Sequence, residues 1–84
     1  MKIENFNVKG FKGGDFVKVI MKDGSEETIQ LERGQIYMGS ENKKEYLTGK
    51  IIPGVSPSIV VQATPENPEG RGINIEDVED VISI

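Results

Sequence analysis

The chain reads as an all-β domain of five to seven short strands, with one helical turn ahead of the last. Three features predict this. Ten glycines and four prolines divide 84 residues into apolar pieces shorter than an ordinary helix. Those pieces are rich in Val and Ile, which suit a pleated, half-buried surface. The stretch DFVKVIMKDGSEETIQLERG alternates apolar and polar residues on both sides of an Asp-Gly pair, the pattern of a β-hairpin.

Size and composition bound the rest. A chain of 84 residues can bury about 60 to 65% of its extended surface, enough for one core and too little for two, so one domain over residues 1–84 is expected. With 36% hydrophobic and 29% charged residues, it has the balance of a folded protein. It has neither cysteine nor histidine. Disulfides and thiolate metal sites are therefore excluded, and the usual neutral-pH base and the commonest nitrogen ligand are missing. The opening MKIENFNVKGFKGG isolates its apolar residues between polar ones, unlike a signal peptide. No run approaches the roughly 20 apolar residues of a spanning helix. The cytoplasm or nucleoplasm is the expected compartment, with no membrane partner.

The elements follow in order. KIENFNV alternates weakly, with Phe6 and Val8 on a common face, and reads as a first strand or an ordered arm. In the hairpin, a two-residue loop would set Val19 against Thr28 and Lys18 against Ile29, mixing the faces. An odd loop of Lys22, Asp23 and Gly24 instead gathers Val17, Val19, Met21, Ile29 and Leu31 on one face, with Lys18, Lys22, Thr28 and Gln30 on the other. It also seats Gly24 where a type I turn with a G1 bulge needs a left-handed residue. Next, Ser40 could cap a helix ending before Gly49. Such a helix would bury little beyond Tyr46 and Leu47, so two strands, Gln35 to Met38 and Glu45 to Ile52, are preferred. PGVSPS is a loop, and SIVVQA has the continuous apolar run of a strand covered on both faces. TPENPEGRG is the longest irregular segment, expected to be the most mobile.

The closing GINIEDVEDVISI supports two readings. As a helix, Asn74 caps it, Glu76 and Asp77 favour its positive end, and Ile75, Val78 and Ile82 share a stripe. Against this, six of the last twelve residues are Val or Ile, and no cation lies near the C-terminal end. Strand, one turn, strand is preferred: Ile73 and Ile75 point inward, Val78 plugs the turn, and Ile82 and Ile84 continue inward.

Taken end to end, this order resembles a small SH3-like barrel: a bent hairpin early, then strands of growing irregularity, then a single 3₁₀ turn just before a short closing strand. GINIEDVEDVISI is similar to that ending. GGDFVKVIMKDG also resembles the opening of a KOW-type module, in which Gly-Asp precedes an alternating Val-x-Val strand. SEETIQLERG does not match the basic, glycine-rich later part of that motif. The resemblance implies an architecture and leaves function open.

Candidate chemistry is sparse. Glu76, Asp77, Glu79 and Asp80 cluster without the D-x-D-x-D-G spacing or distal Glu of a calcium loop, and read as a solvated turn. With no nucleophile-base arrangement legible, an enzyme is not expected. Glycine-rich phosphate loops are missing as well, so neither a cofactor nor a small-molecule substrate is expected. Residues 1–50 hold nine Lys/Arg against eight Asp/Glu, and residues 51–84 one Arg against six acids, the reverse of what a phosphate-neutralising protein would show. A local nucleic-acid face could be assembled from Phe6, Phe11 and Phe16 with Lys2, Lys9, Lys12 and Lys18. Phe6 and Phe16 read equally as core anchors, and the lysines as a solubilising rim.

The expected function is a non-catalytic interaction module meeting a protein partner, or copies of itself, through a strand edge or a tyrosine surface. Tyr37 and Tyr46, on opposite arms of the second hairpin, Phe11 in its glycine-rich segment, and Arg71, the one cation after Lys50, are the candidate partner-binding residues. The packing alternative for the tyrosines is a cross-strand pair, and for Arg71 neutralisation of the neighbouring carboxylates through exposed ion pairs. A nucleic-acid accessory domain is the rival function. An acidic mimic that blocks a basic protein site ranks third.

Overall fold

The computed structural model describes residues 1–39, 57–68 and 70–84. In chain order these form α1 (Ile3–Asn7), β1 (Phe16–Met21), β2 (Glu26–Gln30), β3 (Tyr37–Met38), β4 (Ser58–Val61), β5 (Arg71–Asn74), a 3₁₀ turn (Ile75–Asp77) and β6 (Val78–Ser83). The expected strand Glu45 to Ile52, the alternative helix from Ser40, and Tyr46 lie outside the described residues. Among the described residues the architecture is mostly β, with a single 3₁₀ turn before the last strand, as the sequence predicts.

The β1–β2 hairpin takes the odd loop. Val17 faces Ile29, Lys18 faces Thr28 and Val19 faces Glu27. Met21 N–H donates to Ser25 O (2.8 Å) and Gly24 N–H to Met21 O (2.9 Å), leaving Lys22, Asp23 and Gly24 as the loop. Gly24 has φ +90°, a backbone that a side chain resists. Asp23 Oδ1 accepts from Ser25 Oγ (2.6 Å) and Ser25 N–H (2.9 Å). These two bonds hold its carboxyl below the ordinary 3.8, the side-chain bond contributing most.

The N-terminal segment differs from its expectation. It is a helix of five residues, α1, rather than a strand or arm. Phe6 is fully buried, whereas Val8 is exposed, so the two do not share a face. The operative period is that of a helix: Met1, Ile3 and Phe6 all meet the core, Ile3 and Phe6 being one turn apart. A helix this short is not stable alone. It is held by Phe6, whose ring centroid lies 5.9 Å from that of Phe11, and by Met1 N, which donates to Val78 O (2.6 Å).

The closing stretch forms strand, turn and strand. Asn74 Oδ1 accepts from Glu76 N–H (3.0 Å) and so caps the 3₁₀ turn. Ile75, Val78 and Val81 are buried. Ile82 and Ile84, expected to point inward, are exposed. The reason is a bulge. Ile20 pairs with Asp80 but Met21 with Val78, so Glu79 is an extra residue and the inward positions become Val78 and Val81, three apart.

Two three-stranded antiparallel sheets result, ordered β2-β1-β6 and β3-β4-β5. Their inner faces enclose one cluster containing Phe6, Val17, Val19, Leu31, Ile59, Ile75, Val78 and Val81. In β4, Ser58, Ile59 and Val60 are all buried, as the continuous run predicts. Among the described residues the sheets do not close into a barrel. They join where Leu31 bridges Val61, flanked by Gln62 N–H to Gln30 O and Glu32 N–H to Val60 O (both 2.9 Å).

Candidate functional site

Strand edges decide what this fold offers a partner, because an unpaired edge presents backbone donors and acceptors in a row. In an antiparallel ladder, alternate residues aim these groups at opposite edges. The Met21–Ser25 bond fixes the odd residues of β2 toward β1, so its even residues point outward.

The β6 edge is occupied at Val78 and Val81. Val81 N–H donates to Asp80 Oδ1 (2.9 Å), Lys9 Nζ lies 3.0 Å from the same oxygen, and Val78 O receives Met1 N. The Lys9 bond, followed by the Val81 N–H, holds the Asp80 carboxyl below the ordinary 3.8. A neighbouring chain would have to displace all three.

The β2 edge is open over part of its length. Gln30 O is taken by Gln62 N–H. The backbone groups of Glu26 and Thr28 have no hydrogen-bond partner across the outer edge among the described residues. Beyond the Leu31–Val61 bridge, β2 and the 61–67 segment diverge around a groove of about 310 Å3, lined on one side by Thr28, Ile29 and Gln30 and on the other by Val61, Gln62 and Asn67. The far wall is fixed by a tight turn: Thr64 and Asn67 exchange backbone bonds (3.1 and 3.0 Å), and Asn67 N–H also donates to Thr64 Oγ1 (3.1 Å).

Arg71 reaches across this opening to an ion pair between its Nη2 and Glu27 Oε2. The partner is 44 residues away in sequence, not one of the neighbouring carboxylates. On its other side lies a second groove of about 430 Å3, lined by Met21, Ser25, Glu26, Ile73, Asn74 and Asp77. Both grooves include Glu27 and Arg71, so the ion pair divides one opening into two compartments.

The other candidate residues are placed differently. Phe11 is half-buried and packs on the core beside Phe6. Tyr37 is half-buried opposite Ile59 in β3. With Tyr46 outside the described residues, no tyrosine surface is formed by those described. Of the aromatic and basic set, Phe6 is buried, Phe16 is exposed, Lys9 is paired with Asp80, and Lys18 Nζ lies 3.3 Å from Glu26 Oε1. Phe16, for which the sequence also allows a core position, stands on the outer face of the β2-β1-β6 sheet with Ile82. Glu76, Asp77, Glu79 and Asp80 do not converge: no group of three potential metal ligands occurs among the described residues.

The β2 edge and Glu27 were not singled out by sequence. Alternation shows which face a residue takes but not which edge of its strand is covered. No helix among the described residues is long and apolar enough to cross a membrane. Comparison with known proteins finds no matching family model, no matching curated relative and no matching solved structure.

Proposed function

We propose that the protein is a non-catalytic interaction module that adds an extended segment of a partner to the open edge of β2. The observation that carries this is the contrast between its edges: β6 is covered at Val78 and Val81 by Met1, Asp80 and Lys9, while Glu26 and Thr28 of β2 each line a groove. Strand addition supplies backbone hydrogen bonds for affinity, and the flanking pockets sort alternate side chains. The SH3-like reading belongs to this proposal. An early bent hairpin and a 3₁₀ turn before the closing strand support it, although a shared architecture does not assign a ligand.

Nucleic-acid binding has less support. Two of its four lysines are engaged by carboxylates, and two of its three aromatic rings serve the core. Titration with single-stranded RNA and duplex DNA at low salt tests that rival, since electrostatic binding is strongest there.

The edge reading is tested with Thr28→Pro. Proline removes an N–H that points away from β1, so the hairpin ladder survives. Peptides selected from a random display library on the wild-type protein are expected to lose binding to the variant while its circular dichroism is retained. Selected peptides that bind a folded T28P variant undiminished would refute the edge as the docking element. Size-exclusion with light scattering addresses the homotypic form: a concentration-dependent dimer that T28P abolishes identifies a second copy as the added strand.

A further inference from the structure

Resting on the β2-edge reading, we infer that the segment it accepts carries a lysine or arginine, whose side chain lies in the groove between β2 and β5. The groove has two kinds of surface. Its floor includes Met21 and Ile73, partly buried side chains packed on the hydrophobic core. Its rim carries the carboxylates of Glu26, Glu27 and Asp77 against the single guanidinium of Arg71. Glu26 is engaged by Lys18 on the outer face and Glu27 by Arg71. Asp77 has no ion-pair partner among the described residues.

A long cationic side chain matches both surfaces, because its methylene stem covers apolar area while its head stays at a charged rim. An anionic side chain would meet three carboxylates, and a short apolar one would leave Asp77 facing it without a counter-charge. The position is within reach of an added strand. Glu27 belongs to β2, and Glu26, next to it, is one of the two residues whose outward backbone groups have no partner among the described residues. A bound cation would also share Glu27 with Arg71, joining the two compartments. Charge over the whole chain acts in the same direction: at −4, it favours encounter with a basic segment.

The test uses the full chain, ¹⁵N-labelled, and three capped eight-residue peptides of Thr and Val that are identical except for one central residue, Lys, Gln or Glu. Amide shifts of Glu27, Thr28, Ile73 and Asp77 report the site. The Lys peptide is expected to bind about five-fold or more tighter than the Glu peptide, the size expected for exchanging one partly exposed attraction for a repulsion. Asp77→Asn should bring that ratio to about two-fold or less without shifting the core amides of Val19 and Val81. Equal binding of the three peptides, with shifts at Thr28, overturns the cation preference and leaves the edge reading standing. Shifts that avoid Thr28 for every peptide overturn both.

Discussion

At the residue scale, two positions are decided by contacts the sequence does not display. Gly13 has an ordinary backbone, yet a Cβ built on it would lie 2.2 Å from Arg33 O. That neighbour is backbone and cannot rotate away, so the turn closed by Asp15 N–H and Lys12 O and the segment after β2 must separate to admit a methyl. Gly13→Ala is expected to cost about 1–3 kcal/mol, the range for overpacking a tight contact, read as a lowered urea midpoint. Asp80 is the second position. Its carboxylate serves Lys9 and the Val81 N–H together, and its folded pKa is depressed below 3.8. A depressed carboxylate contributes stability that is complete above the unfolded value and is lost as pH falls through the folded one. Asp80→Asn should therefore be less stable than wild type at neutral pH, the two denaturation curves converging as pH drops below 3.8. A gap between them that stays constant down to acid pH would assign the effect to geometry rather than charge.

At the scale of elements, α1 depends chiefly on one side chain, Phe6. Five residues have too few internal hydrogen bonds to persist, and Lys2 gives no side-chain cap. Phe6, at 0% exposure, makes the helix part of the core. Phe6→Ala is expected to cost about 3–5 kcal/mol, a large share of the 5–15 kcal/mol that keeps a small domain folded. Loss of cooperative melting, or a strongly lowered transition, checks it. The same helix shows where sequence is ambiguous. Isolated apolar residues at 3, 6 and 8 fit an alternation through Phe6 and Val8 as well as a helical turn through Ile3 and Phe6, and only docking distinguishes them. Gly10, in a left-handed conformation just past the helix, is the stop signal that could have decided it. The hairpin was legible because five apolar residues and one glycine agree on a single loop length. The bulge at Glu79 was not: nothing local distinguishes Val81 inward from Ile82 inward, and the choice is made by pairing with β1. Arg71 could be read as a lone cation, but its partner sits on a strand 44 residues away.

At the scale of the molecule, the question is whether two sheets joined by one bridge behave as one unit. Pairing alone ties them weakly, since among the described residues the two ladders pair only at the Leu31–Val61 bridge and its flanking bonds. The apolar interior argues otherwise. Val17, Val19, Ile29, Val78 and Val81 from one sheet share a cluster with Ile59 from the other, and Phe6 and Leu31 belong to it as well. Burial of this kind is lost by both sheets together, so neither can open without exposing the other's inner face. The expectation of one domain thus becomes a statement about cooperativity. Ile59 is fully buried and lies in the β3-β4-β5 sheet, which makes it the sharper probe. Ile59→Ala is expected to cost about 2–5 kcal/mol and to lower a single transition, with the amides of β1 and β6 losing protection at the same urea concentration as those of β4. The slope of that transition should match wild type, because the surface exposed on unfolding is unchanged. If β4 and β5 melt first while Val19 and Ile20 remain protected, the sheets are separate folding units. The groove between β2 and β5 would then be a boundary between two bodies rather than a cleft in one.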